Sequence, residues 1–129
     1  MSMKIAPSQA NTRINLLMSQ NWLVNADGTA LEAIFHFKTF KKAWEFMGLI
    51  AAKAAEQRHH PEWANGYNRV FIRWTTHDVG GISEKDLDMA EACHEHATNL
   101  GGVIMENVDG TKLDNDRVAL KDLAGRLCT

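Results

Sequence analysis

The 129 residues suit one compact domain, and 45% apolar with 23% charged residues place the chain among globular proteins rather than disordered or fibrous ones. A formal net charge of -2 offers no cluster of cations to displace phosphate counterions, so a direct nucleic-acid partner is not expected. Cys93 and Cys128 form no spaced framework or zinc pattern, no run approaches the roughly 18 apolar residues that span a bilayer, and residues 1–21 lack a signal-peptide apolar core. A reducing, cytoplasmic setting away from membranes is the expectation.

Residues 8–20 begin with Ser8, a usable N-cap, and place Ile14, Leu17 and Met18 at helical spacing, which predicts a short amphipathic helix. Trp22 to Val24 read as extended, Asn25-Ala26-Asp27-Gly28 as a turn, and residues 30–38 alternate with Leu31, Ala33, Phe35 and Phe37 on one face. This is a β-hairpin with one apolar side. From Thr39, a plausible N-cap, the period changes: Phe40, Ala43, Trp44, Met47, Ile50, Ala51 and Ala54 recur at three- and four-residue steps, predicting a helix of about 20 residues, near 30 Å long. Gly48 within it suggests close approach of another backbone.

Pro61 lacks an amide donor and biases His60 away from helical geometry, so this helix must close near Arg58 or His59. Residues 63–67 and 70–76 predict two strands around an Asn68-Arg69 turn, with Val70, Ile72 and Trp74 on one face and Phe71, Arg73 and Thr75 on the other. After Gly80-Gly81, Ser83-Glu84-Lys85-Asp86 reads as a capping start to a helix with Leu87, Ala90, Cys93 and Ala97 on one stripe, ending at a left-handed Gly101. Residues 103–105 are ambiguous. Leu120, Leu123, Ala124 and Leu127 predict a last amphipathic helix. The order α-β-β-α-β-β-α gives an α+β fold, a four-stranded antiparallel sheet with helices on one face, as a domain over residues 1–101 with an extension over 102–129.

Of six histidines, His36, His94 and His96 are read as surface or satisfied residues, and the last two lie on nearly opposite sides of one helix. His59 and His60 differ, since they sit where the helix must stop, and His77, near the end of a later strand, could fold back to the same cleft. Imidazole changes charge near neutrality, so one ring can donate a proton while another accepts one, and a helix C-terminus favours the cation at His59. Zinc is also conceivable, but no pair of these rings shares one rigid element at ligand spacing, and acid–base chemistry without metal is the preferred reading.

His59-His60-Pro61-Glu62-Trp63, Tyr67-Asn68, Thr76-His77 and Gly81-Ile82-Ser83-Glu84-Lys85-Asp86 resemble the pterin-4a-carbinolamine dehydratase family, also known as dimerisation cofactors of a homeodomain transcription factor. Ala33 to Phe40 and Trp44 to Met47 match as well, so the likeness covers residues 22–97. It implies dehydration of 4a-hydroxytetrahydropterin to quinonoid dihydropterin, in tetrahydrobiopterin recycling, without metal or organic cofactor. His59 and His77 would be the acid–base pair, His60 would help to bind the pterin, and Trp63 and Asp86 would shape the pocket. Capping is an alternative role for Asp86, and core packing for Trp63. The family usually carries an acid four residues before the first histidine and often one just before it; here those places hold Ala55 and Arg58. The resemblance further implies a homodimer or homotetramer. The alternative function is an interaction module, cytoplasmic or nuclear, whose long helix exchanges its own copy for a transcription-factor partner.

Overall fold

The computed structural model describes the backbone of residues 7–76 and 81–106, and side chains within those spans from residue 12 onward. The expected helix near the C-terminus and the His77 side chain lie outside the described residues. The elements run α1 (Pro7–Ser19), β1 (Leu23–Val24), β2 (Ala30–His36), α2 (Phe40–Gln57), β3 (Glu62–Gly66), β4 (Arg69–Thr75), α3 (Glu84–Asn99) and β5 (Val103–Ile104). The α+β order expected from the sequence is present. Pro7 rather than a residue after Ser8 opens the first helix, as suits a residue with no amide hydrogen to leave unpaired.

Every strand pair is antiparallel, in the order β1-β2-β4-β3, and β5 adds a fifth strand beside the far end of β2. The ambiguity over residues 103–105 is thus resolved: Ile104 faces Phe35 and Val103 faces His36 across the ladder. The long pairing of β2 with β4 sets the faces. Leu31 opposes Trp74, Ala33 opposes Ile72 and Phe35 opposes Val70, so these six side chains point together into the main core. Ile34, Phe71 and Ala64 form a smaller cluster on the other face, where Arg73 Nε also lies 3.3 Å from Glu62 Oε1. The β3–β4 turn is Tyr67-Asn68, one residue earlier than expected.

All three described helices serve the first face. Leu17, Ala43, Phe46, Ile50, Ala54, Leu87, Met89, Ala90, Cys93 and Ala97 bury against the sheet, and Phe46 lies 4.9 Å from Phe35 and 5.1 Å from Phe37 between ring centroids. The Leu, Ile, Phe and Met side chains among them each contribute about 1.5–3 kcal/mol when taken fully out of water. The stripe predicted for α2 is corrected here. Its buried residues are Ala43, Phe46, Ile50 and Ala54, whereas Phe40 and Trp44 are 46% and 62% exposed. The three- and four-residue steps described two neighbouring apolar flanks, and only one can face the sheet. Gly48 faces open space, with nothing of this chain within 4 Å of where a Cβ would stand.

Arg13 on α1 ties that helix to α3, bonding Glu91 at 2.6 Å and Asp88 at 2.7 Å, and these carboxylates hold its guanidinium even more firmly protonated than usual. This fixes α3, and with α3 its N-terminal end, where the site is built.

Candidate active site

Helix α2 is capped at its start by Thr39, whose Oγ1 accepts from Lys42 N–H at 3.1 Å. Its other end decides where the histidines go. Arg58 takes a left-handed conformation at φ 54°, and His59 N–H donates back to Ala54 O at 3.0 Å. This pattern reverses the chain within one residue of the helix, and Pro61 then sends it extended into β3. The side chain of His59 is therefore turned inward, only 11% exposed, while His60 is exposed.

Helix α3 supplies the partner. Its N-cap is Ser83, and Asp86 stands three residues on, where its carboxylate reaches back to accept the Ser83 backbone N–H at 2.8 Å through Oδ2. Thr76 Oγ1 donates to the same oxygen at 2.7 Å. The other oxygen, Oδ1, lies 2.5 Å from His59 Nε2. Asp86 is fully buried, as is Ser83, and the helix N-terminus favours a negative charge there. With Oδ2 taken by these two donors, Oδ1 is the oxygen that faces His59, and beside a carboxylate the hydrogen of the contact would sit on Nε2. Nδ1 is then the ring nitrogen that Asp86 does not engage.

Trp74 completes the seat. Its alternation on β4 turns it to the helix face, and its ring stacks on His59 with centroids 5.6 Å apart and planes inclined by 25°. Behind it Cys93 is buried, and burial pushes its thiol well above the usual range, so it serves as a neutral packing group. The imidazole of His59 is held on one face by an indole and at one edge by a carboxylate. A ring so fixed can present Nδ1 to a bound molecule as acceptor, or as donor once protonated.

The residues expected from the sequence are distributed as follows. His59 and Asp86 meet directly, 27 positions apart in the chain. Of the roles weighed for Asp86, the cap is present through Oδ2, and Oδ1 meets His59. His60 follows His59 but faces solvent. Trp63 lies on β3 opposite Ile72, half-buried against the main core and on the same sheet face as Trp74. His77 lies outside the described residues, although Thr76 before it is described and pairs with Gly81 through two backbone bonds of 3.3 and 3.4 Å. His36 bonds Asn68 at the surface, and His94 and His96 sit in the second half of α3, away from Asp86. Among the described residues, no three His, Cys, Asp or Glu side chains converge as metal ligands.

Three members of this corner were not among the site residues expected from the sequence, although Ser83 was read as a cap. Trp74 was legible as a core residue but not as the ring under His59. Thr76 and Ser83 were legible only as parts of motifs, because nothing in spacing shows that their hydroxyls meet at 2.7 Å or that Thr76 bonds the Asp86 carboxylate. Ala55 and Arg58 put no carboxylate at those two places, and the carboxylate that His59 meets is Asp86 on another helix.

The profile of the family described as pterin 4 alpha carbinolamine dehydratase matches residues 3–96. Proteins named for pterin-4-alpha-carbinolamine dehydratase are similar in Novosphingobium aromaticivorans, 48% identical over 55% of this chain and 74% of that one, and in Nitrobacter winogradskyi, 39% identical over 72% and 90%. Among solved structures, a chain described as a transcriptional coactivator/pterin dehydratase from Brucella melitensis superposes with a TM-score of 0.66 at 34% identity, covering 74% of this chain and 99% of its own. A pterin dehydratase-like protein described as a RuBisCO assembly factor of the alpha-carboxysome shares the fold, with a TM-score of 0.52 at 22% identity over 59% and 88%. The chain belongs to the pterin 4 alpha carbinolamine dehydratase family, a family of hydro-lyases.

Proposed function

We propose that the chain dehydrates a 4a-hydroxytetrahydropterin to the quinonoid dihydropterin, with His59 as an acid–base group. The observation that carries this reading is the His59–Asp86 pair seated against Trp74, inside the motif that the family shares. In the reaction the C4a–O bond breaks as the hydroxyl takes a proton and leaves as water, while N5 loses its proton and its electron pair forms the new C=N bond. One donor and one acceptor suffice, each contributing about 10²- to 10⁴-fold. His59, polarised by Asp86, takes one role and His77 the other. His60, exposed beside His59, contacts the pterin, and Trp63 bounds the slot. Tetrahydrobiopterin recycling is the setting in which this product would be used.

The decisive experiment mixes purified, folded chain with freshly formed 4a-carbinolamine and follows its decay by stopped-flow absorbance. Acceleration over buffer is expected; decay at the buffer rate overturns the reading.

A second reading concerns the outer flank of α2. Phe40 and Trp44 stack with centroids 6.0 Å apart on the exposed side, and one turn on, Gly48 leaves room for a close approach. Large exposed aromatics beside a small residue suit a helix of another chain. A second copy, giving a homodimer or homotetramer, is the occupant this self-matching surface favours, and the Brucella melitensis chain described as a coactivator motivates a transcription-factor partner as the alternative. Gel filtration with light scattering separates them from a monomer: Trp44→Glu should reduce the mass of an assembly held by this flank, and an unchanged mass would rule the flank out.

A further inference from the structure

We propose that Thr76 is a positioning residue for His59, acting through the orientation of the Asp86 carboxylate. The inference rests on the reading of His59 as an acid–base group.

A carboxylate on a single bond can swing, and each swing would present a different oxygen to the imidazole. Here the swing is blocked from one side. Thr76 Oγ1 donates to Asp86 Oδ2 at 2.7 Å, and Ser83 N–H donates to the same atom at 2.8 Å. Having spent its single hydrogen on Asp86, Thr76 must accept from Ser83 Oγ at 2.7 Å, which fixes the order Ser83 to Thr76 to Asp86. The other separation from Ser83 Oγ to Asp86 Oδ2 is 3.4 Å, too long to replace the Thr76 bond without a shift. All three side chains are buried, so no water competes for these bonds. Among the described residues, Oδ1 is thus left to His59 Nε2 alone.

The helix does not need this hydroxyl. The Ser83 N–H is already satisfied by Asp86, and the first turn of α3 closes through Asp86 N–H to Ser83 O at 3.1 Å. What the Thr76 hydroxyl adds is a constraint on the carboxylate, and through it on the tautomer and tilt of the imidazole. Thr76 is also held at its backbone by the pairing with Gly81, so the donor itself stands on a fixed base.

The test compares wild type with Thr76→Val, which keeps the shape and removes the hydroxyl, and Thr76→Ser, which keeps the hydroxyl. Two readouts are taken: solvent exchange of the His59 Nε2–H by ¹⁵N-edited NMR, and kcat with KM in the dehydration assay. For T76V, a hydrogen bond to a charged group is lost, and exchange about tenfold faster with kcat about tenfold lower and KM nearly unchanged is expected. T76S should restore both. If T76V fails to fold, Thr76→Cys, with a weaker donor of similar size, should give intermediate values. A T76V protein that melts earlier yet keeps wild-type exchange and kcat overturns the proposal, as does T76C at wild-type values. A wild-type chain without dehydratase activity would sink the functional reading instead, and the exchange arm would still decide whether Thr76 holds His59.

Discussion

All three described helices end in the same hydrogen-bond pattern, yet only one of the ends delivers a residue of the proposed active site. The residues Asn21, Arg58 and Gly101 each adopt a left-handed conformation, at φ 76°, 54° and 76°. The next amide then bonds back five residues in each case: Trp22 to Leu17, His59 to Ala54 and Gly102 to Ala97, at 3.1, 3.0 and 2.8 Å. Asparagine and glycine are the residues expected at such a place, and arginine is not. After α1 and α3 the reversal delivers packing, since Trp22 is buried and Gly102 lies under the Phe37 ring. After α2 it delivers His59 to Asp86. A left-handed arginine is less favourable than a glycine by about 1 kcal/mol, and that modest cost stands next to the histidine proposed as acid–base group, as strained backbone tends to collect near functional sites.

Removing the imidazole should break this contrast most severely. His59→Ala is expected to lower kcat by about 10²- to 10⁴-fold with the fold intact, as measured by stopped-flow alongside circular dichroism. Asp86→Ala comes next, because it withdraws both the partner of His59 and the cap of α3. A loss of about 3 kcal/mol in urea unfolding is expected, from the lost cap and the orphaned donors, together with a fall in turnover. At the other kind of helix end, Gly102→Ala should behave in the opposite sense. Its Cβ would come within 2.4 Å of Phe37 Cε1, so the ring must shift. A stability loss of about 1–3 kcal/mol is expected, with kcat close to wild type. The smallest effect is expected from Arg58→Gly, a gain of up to about 1 kcal/mol in unfolding free energy with His59 still delivered to Asp86. Should R58G lose stability instead, the arginine makes contacts that outweigh its conformation.

Local rules reached far into this fold. The alternation of Leu31, Ala33, Phe35 and Phe37 against Val70, Ile72 and Trp74 was enough to set the face of the sheet, since strand side chains alternate whatever lies above them. Proline at 61 stopped α2 within a residue or two of its observed end, and Gly101 stopped α3. The α2 stripe was the failure. Phe40, Trp44 and Phe46 are all large and apolar, and a helix alone does not reveal which flank meets a sheet.

The site divides in the same way. Sequence by itself placed His59 and His60 at a helix end and Asp86 in the first turn of another helix, because caps and prolines act over three or four residues. That one imidazole turns inward and its neighbour outward, that Trp74 lies under the inward ring, and that Thr76 bonds the Asp86 carboxylate were decided only when α3 packed against β4. Those contacts join residues 10 to 27 positions apart, and their partners are chosen by the packing of whole elements rather than by anything either segment encodes alone.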